Sequence, residues 1–217
     1  MVFEIVILAM IAAFLGLRLY SVLGRRAEHE EEIVPGGYER PEEQKRVAPA
    51  APVLETPRTE RQISGFAPGI ERGLREIAAA DRRFDLIGFL EGARGAYQMV
   101  LEAFWRGDRE ELAELCDTDV LEGFTAAIDA REAAGHTLDN RLIRIEESNI
   151  HSAVLDGHMA RIGVSFVADI AAVTRDKDGM VVAGSLDDAI ESRDVWIFMR
   201  DVRSNDPAWL IDETDEG

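Results

Sequence analysis

The first 27 residues constrain this chain most, because they contain a long apolar run. Residues 2–17 are apolar except for Glu4, and three arginines follow before residue 27. Sixteen helical residues span about 24 Å at about 1.5 Å per residue. Continuing the helix to Leu23 brings it to the roughly 30 Å of a bilayer's hydrocarbon core. We therefore expect residues 1–27 to form a transmembrane anchor.

The arginines also predict the orientation of this anchor. They follow the apolar run and none precedes it, an asymmetry that favours an outer N-terminus and a cytoplasmic C-terminal domain. A cleaved signal peptide is the main alternative, but it would have a basic region before the run and a small-residue cleavage site after it. Cys116 is the only cysteine, so no intrachain disulfide suggests an oxidising compartment.

Residues 28–62 have the composition of a disordered linker rich in proline and glutamate. They hold five of the seven prolines and few large apolar side chains, so they cannot build a core. We expect a semi-extended spacer with polyproline character. A peptide-docking segment is the alternative, but no P-x-x-P in the linker has a basic residue beside it in the way that such docking requires, so the sequence favours a plain tether.

Charge restricts the partners of the remaining segment, residues 63–217. The chain has a net charge of −18, of which this segment carries −16. Such a domain is a poor ligand for nucleic acid, because affinity there comes mainly from cations on phosphates. Anionic lipid repels it as well. We therefore expect no nucleic-acid partner, and contact with membrane lipid through the anchor.

The first half of this segment has helical periodicity. The spacing predicts a short helix ending near Ala80 and a longer one over residues 85–106, terminated by Gly107. Three glycines inside the longer helix indicate close packing of another element. Asp108 has the position of a cap that begins a further helix, and Asp117 or Thr118 has the position of a cap for the next one.

In the second half of the segment the spacing of apolar residues becomes typical of strands. Apolar residues occur at 142, 143 and 145 and again within 150–155. They alternate with polar ones over 162–170 and recur at 180–182, 190–199 and 209–211. Asp156-Gly157 and Asp178-Gly179 are hairpin signals. Helices followed by an antiparallel meander predict an α+β fold, in which helices pack against one face of a curved four-stranded sheet.

The sequence contains few patterns that indicate a catalytic, metal-binding or cofactor-binding site. It has no phosphate-binding glycine loop, and its four histidines are scattered, so we expect neither a metal site nor a cofactor. A conical pocket between helices and sheet would allow one acid–base set, Tyr97 with Asp169 and His158. A small-molecule isomerase or hydrolase is therefore the alternative function, and the prediction is that the protein is not an enzyme.

Arg131 breaks an apolar stripe. It occupies the next position after Val120, Phe124 and Ile128, where an apolar residue is expected. A half-buried arginine needs a partner, and the candidates are Glu91, Asp85, Asp169 and Asp194. Arg131 is predicted to form a structural ion pair, the alternative being a polar fork at a pocket mouth.

Four stretches together resemble a known family. They are residues 17–26, residues 89–97 continuing to 103–108, residues 120–128 with Arg131 and Glu132, and residues 194–201 with 204–209. In this combination the chain resembles the bacterial Tim-forty-four-like proteins, relatives of the scaffold subunit of the mitochondrial inner-membrane import motor. Where the mitochondrial proteins have a region for chaperone and channel contacts, this chain has the expected anchor and acidic linker.

The resemblance implies a nuclear-transport-factor-2-like domain with a large apolar pocket. It implies a non-enzymatic adaptor at the bacterial inner (cytoplasmic) membrane, linked to protein translocation or to assembly of a membrane complex. The pocket would bind lipid or a hydrophobic segment of an unidentified membrane or chaperone protein; the oligomeric state stays open. The pattern offers six lining candidates: Phe89, Tyr97, Leu101, Phe104, Phe166 and Trp196.

Overall fold

A computed structural model of the protein describes residues 63–216. The expected anchor, residues 1–27, and the expected linker, residues 28–62, lie outside this part of the chain. Within it, no helix combines the length and apolar character that crossing a membrane requires. The elements, in chain order, are α1 (Pro68–Ala80), α2 (Leu86–Arg106), α3 (Arg109–Leu115), α4 (Thr118–Ala133), β1 (Thr137–Leu138), β2 (Arg141–Asp156), β3 (Met159–Arg175), β4 (Val181–Asp201) and β5 (Leu210–Glu216).

Helices precede an antiparallel sheet, so the predicted α+β class is confirmed. The sheet has five strands where four were expected. The additional strand, β1, has only two residues, too few to produce a periodic pattern. Residues 180–182 and 190–199, which the sequence separates, fall almost entirely within the single strand β4.

Three of the described helices, α2, α3 and α4, begin where the sequence places a side-chain acceptor. The Asp85 carboxylate accepts a hydrogen bond from the Gly88 N–H at 3.1 Å. Asp108 and Asp117 begin α3 and α4 in the same way, each at 3.0 Å. These bonds satisfy backbone donors that the first turn of a helix leaves free. Gly107 ends α2 with a φ of +76°, in the left-handed region that favours glycine.

β3 is the central strand of the sheet. β1 and β2 pair with one of its edges and β4 with the other. The predicted turns occur at Gly157 and Gly179, with φ of +59° and +79°. The residues of β3 that alternate toward the core are at most 1% exposed: Ile162, Val164, Phe166 and Ala168. The half-buried strand predicted from the alternation is thereby confirmed.

β4 is paired unevenly. β3 accompanies it along most of its length, whereas β5 pairs only with Asp194–Met199. Within the described part of the chain, residues 181–193 pair with β3 alone. Val181, Val182 and Ile190 lie in this outer part and are each more than half exposed.

One apolar core joins the helices to the sheet. Leu74 of α1 and Tyr97 and Val100 of α2 are fully buried in it. Gly73 brings α1 against β2, where a Cβ would lie 1.9 Å from the Ala153 carbonyl oxygen. The packing of α1 on the sheet therefore requires glycine at this position.

Candidate functional site: an aromatic groove along α2

A groove beside the first half of α2 encloses about 460 Å³. Its lining comes from the start of α2, the end of α3, the end of β4 and the loop between β4 and β5. Most of the lining is apolar, and Arg83, Asp85 and Glu114 contribute charge. We call it the aromatic groove, after its floor and wall residues Phe84, Gly88, Phe89, Gly92, Phe198 and Trp209.

Small residues of α2 form the floor of the aromatic groove. Gly88, Gly92 and Ala96 recur every four residues, which places them on one face of the helix. A Cβ at Gly92 would meet no described atom within 4 Å. The sequence predicts that glycines of this helix admit a packed element, but no described element fills the space at Gly92. The floor is therefore open to an incoming molecule.

Aromatic rings form the wall. The ring centroid of Phe89 lies 4.8 Å from that of Trp209, 5.8 Å from that of Phe198 and 6.2 Å from that of Phe84. The ring planes meet at angles between 47° and 90°, the tilted and edge-to-face arrangements that aromatic pairs prefer. Phe84 and Phe89 are themselves buried, so the core behind them fixes the wall.

An ion-pair cluster of Asp81, Arg83 and Arg200 holds this wall in place. Asp81 and Arg200 are only 5% and 8% exposed, and the Arg200 guanidinium donates to the Asp81 carboxylate. The same guanidinium lies 5.6 Å from the centre of the Trp209 ring. Arg83 donates to the Ser204 carbonyl at 2.8 Å, in the loop that leads to Trp209. The cluster thereby ties the residues after α1, β4 and this loop together.

Contacts within the cluster favour the charged form of Asp81. Burial alone raises the pKa of the Asp81 carboxyl, but the Arg83 backbone N–H and the charge of Arg200 outweigh that effect. The pKa of Asp81 consequently lies below its ordinary value. Arg200 Nε is buried without a hydrogen-bond partner among the described residues. The Asp81 carboxylate is therefore the main anionic group that compensates the buried guanidinium.

The six predicted lining residues lie in different places. Phe89 lines the aromatic groove. Tyr97 stacks on Phe166 with 4.4 Å between centroids and lies 4.6 Å from Trp196. These three side chains are 0%, 1% and 4% exposed, so they fill the core between helix and sheet.

The other two candidates lie toward the end of α2. Leu101 and Phe104 are partly buried against the core, and the Phe104 ring is 5.3 Å from the Phe124 ring. The six side chains are therefore not brought together around one cavity. That they bind a ligand stays a prediction.

Arg131 fastens α4 to the end of α2. Its guanidinium donates to the Phe104 carbonyl at 3.1 Å and lies 5.4 Å from the centre of the Phe104 ring. Burial lowers its pKa from the ordinary value. None of the four carboxylates that the sequence offered forms an ion pair with it in the described structure. Three of them have other bonds, since Asp85 caps α2, Asp169 pairs with Arg144 and Asp194 accepts from Tyr97.

The candidate acid–base residues are not assembled into a site. The Tyr97 hydroxyl donates to Asp194 Oδ2 at 2.6 Å, and its pKa is raised by burial and by this bond. Asp169 pairs with Arg144 at 2.9 Å, and His158 lies 3.7 Å from Asp201. Among residues 63–216, no group of three or more His, Cys, Asp or Glu could hold a metal ion.

Sequence reasoning did not single out Trp209 or Arg200. A signal for Arg200 was present, because it follows Trp196 and Phe198 at two-residue spacing and so lies on the buried face of β4. An arginine in a buried row indicates a carboxylate partner. The partner, Asp81, lies 119 positions earlier, and no sequence pattern connects the two.

Comparison with known proteins places most of this chain in one family. Residues 70–216 match the family described as the Tim44-like domain. The mitochondrial import inner membrane translocase subunit TIM44-1 of Arabidopsis thaliana is 29% identical over 113 residues, which are 52% of this chain and 24% of that protein. An uncharacterized protein of Rickettsia prowazekii (strain Madrid E) is 26% identical over 152 residues, 70% of this chain and 60% of its own length.

This chain therefore spans less than two thirds of either relative. Among solved structures, the intermembrane space region of the chloroplast protein ARC6 aligns with a TM-score of 0.42 and 16% identity. That alignment covers 62% of this chain and 97% of the other.

Proposed function

Because the chain belongs to the Tim44-like domain family, as its sequence suggested, we propose that it is a membrane-associated, non-enzymatic scaffold related to protein translocation. In this proposal residues 1–27 anchor it in the bacterial inner membrane as a single-pass protein. The domain that begins at residue 63 works in the cytoplasm as an adaptor. The net charge of −16 on residues 63–217 supports this division, because anionic lipid repels such a domain and the anchor must supply the membrane affinity.

The observation that carries the adaptor role is the aromatic groove with its open glycine floor. Gly88 and Met99 both line the groove and are eleven residues apart on α2, about 16 Å at 1.5 Å per residue. An apolar lining with a few charged groups at its border is typical of a ligand-binding cleft. We propose that a hydrophobic segment of a partner protein lies along α2 in this groove.

Membrane attachment is tested by deleting residues 1–27. We expect the truncated chain to fold and to remain in the soluble fraction after cell lysis, while the full chain sediments with membranes. A truncated chain that still sediments with membranes would contradict the anchoring role of these residues.

The groove is tested by filling its floor. Gly92→Leu places a side chain in the open space, and Gly95→Leu is the matched control, because Gly95 is equally open, lies on α2 and does not line the groove. Each substitution removes a helical glycine, so neither should lower stability. The full chain in lipid nanodiscs is titrated with a fluorescent, uncharged peptide that has a leucine-rich core.

We expect Gly92→Leu to weaken peptide binding at least tenfold, about 1.4 kcal/mol, and Gly95→Leu to change it less than about twofold. Equal affinities for the two variants would contradict binding in the groove. A fluorescent fatty acid that binds where the peptide does not would assign the groove to lipid and overturn the protein-segment proposal.

A further inference from the structure

We propose that the segment bound in the aromatic groove is cationic: lysine or arginine residues flank its apolar core and pair with Glu114 and Asp85. The inference rests on the proposed function, because it names the charge of the partner segment for the same site. It is carried by the charged residues that line the groove, by the bonds that they already make, and by the net charge of the domain.

The two arginines of the groove already have partners within the protein. Arg200 is 8% exposed, and its guanidinium donates to the Asp81 carboxylate. Arg83 Nε lies 3.4 Å from the same carboxylate, and the Arg83 guanidinium also donates to the Ser204 carbonyl at 2.8 Å. An anionic group on a ligand would have to compete with Asp81 for both guanidiniums. The arginines therefore do not favour an acidic segment.

The two carboxylates that line the groove lack a cationic partner among the described residues. Glu114 is exposed on α3 and forms no ion pair there. Asp85 is exposed as well, and within residues 63–216 its carboxylate accepts only from the Gly88 N–H, at 3.1 Å. Both groups can consequently pair with a cation on a ligand while the cap of α2 is kept.

The summed charge of the groove has the same sign as that of the domain. Together with the Asp81 carboxylate, the lining holds three carboxylates and two guanidiniums, which leaves a charge of −1. Residues 63–217 as a whole carry −16. A cleft lined by charge of one sign concentrates ligands of the opposite sign. The domain therefore attracts a cationic segment to the groove and repels an acidic one.

Asp85 defines the position of one of these charges. It directly precedes α2, and the floor residues Gly88 and Gly92 follow about one and two helical turns later. A segment that lies along the floor therefore has one end beside Asp85. A lysine or arginine at this end can keep its charged group in water while its methylene groups cover the apolar lining.

Three fluorescent peptides with the same leucine-rich core test the inference on the full chain in nanodiscs of zwitterionic lipid. One peptide is uncharged, one has two lysines at each end, and one has two glutamates at each end. We expect the lysine peptide to bind at least about fivefold more tightly than the uncharged one, the effect of one or two exposed ion pairs. The glutamate peptide should bind most weakly. Gly92→Leu should weaken the lysine peptide as it weakens the uncharged one.

Glu114→Gln tests the carboxylate of the groove. Glu122→Gln is the matched control, because Glu122 is also exposed and forms no described ion pair, but it lies on α4 and does not line the groove. Both substitutions remove one negative charge from the domain, and only the first removes it from the groove. We expect Glu114→Gln to reduce the preference for the lysine peptide about twofold or more, and Glu122→Gln to change it less.

The results separate the inference from the proposed function. Equal affinities for the lysine peptide and the uncharged peptide would overturn the inference and leave the groove as a site for apolar segments. Equal effects of Glu114→Gln and Glu122→Gln would overturn it too, as would a lysine peptide that Gly92→Leu does not weaken, since attraction to the whole surface would then explain the binding. Failure of all three peptides to bind would contradict the proposed function itself.

Discussion

Asp81 and Arg200 form a buried ion pair, although 119 positions separate them in the sequence. The pair joins the residue after α1 to the end of β4, directly beside Trp209 in the wall of the aromatic groove. Both the stability of the domain and the shape of the groove therefore depend on one carboxylate.

Asp81→Asn should destabilise the domain strongly. The substitution leaves the Arg200 guanidinium buried without its main compensating anion, and breaking a buried pair in this way typically costs about 3–5 kcal/mol. Urea titration followed by tryptophan fluorescence measures the loss. Glu191→Gln is the control, because it breaks an exposed pair with Arg193 on the same strand and should cost less than about 1 kcal/mol. Similar losses for both variants would contradict the structural role of the buried pair.

The contribution of Asp81 should disappear in acid. Its pKa is lower in the folded protein than the roughly 3.9 of an unfolded aspartate, so the unfolded chain takes up a proton first as the pH falls. The ion pair therefore stabilises fully above about pH 4, and its effect is lost as the pH falls through the folded pKa. The difference in unfolding free energy between the natural chain and Asp81→Asn should be constant near neutrality and shrink below about pH 4. A difference that does not change with pH would count against this assignment.

Gly73→Ala should destabilise the packing of α1 on β2. The new Cβ would lie 1.9 Å from the Ala153 carbonyl oxygen, so helix and strand must move apart. Overpacking of this kind costs about 1–3 kcal/mol. Gly69→Ala is the matched control on α1, where the added Cβ meets no described atom and should raise stability by up to about 1 kcal/mol. Thermal unfolding that ranks the two variants in the opposite order would show that the contact is not tight.

Arg131→Met should lower the melting temperature modestly. Methionine keeps much of the packing of the arginine stem, but the bond to the Phe104 carbonyl and the cation beside its ring are lost. Hydrogen bonds to charged groups contribute about 1.5–3 kcal/mol, and the partial exposure of Arg131 favours the lower end. Unchanged melting combined with lost peptide binding would instead give Arg131 a role in recognition.

Helix bounds and turns that are determined by residues close together in the sequence could be predicted. The longer helix was expected at 85–106 and runs over Leu86–Arg106, because its stripe, its cap at Asp85 and its terminating Gly107 are all local signals. The turn at Asp156-Gly157 follows for the same reason. β1 could not be found, because its two residues owe their pairing to β3 rather than to any pattern of their own.

The position and lining of the groove depend on contacts between segments that are far apart in the sequence. Tyr97, Phe166 and Trp196 are among the residues that the sequence pattern offers as the lining of the pocket implied by the family resemblance. Where two inward faces meet, however, such rings pack on one another and leave no space. The opening lies farther toward the start of α2, where Gly88 and Gly92 stand in place of large side chains.

The uneven pairing of β4 divides the sheet into two units that open at different free energies. Residues 181–193 have one neighbouring strand, so their amide protons should exchange with solvent through local fraying of the β3–β4 hairpin. Trp196 and Phe198 lie between β3 and β5 and should exchange only in a larger opening. The groove wall belongs to this slowly exchanging unit, and the outer hairpin can deform without changing the groove.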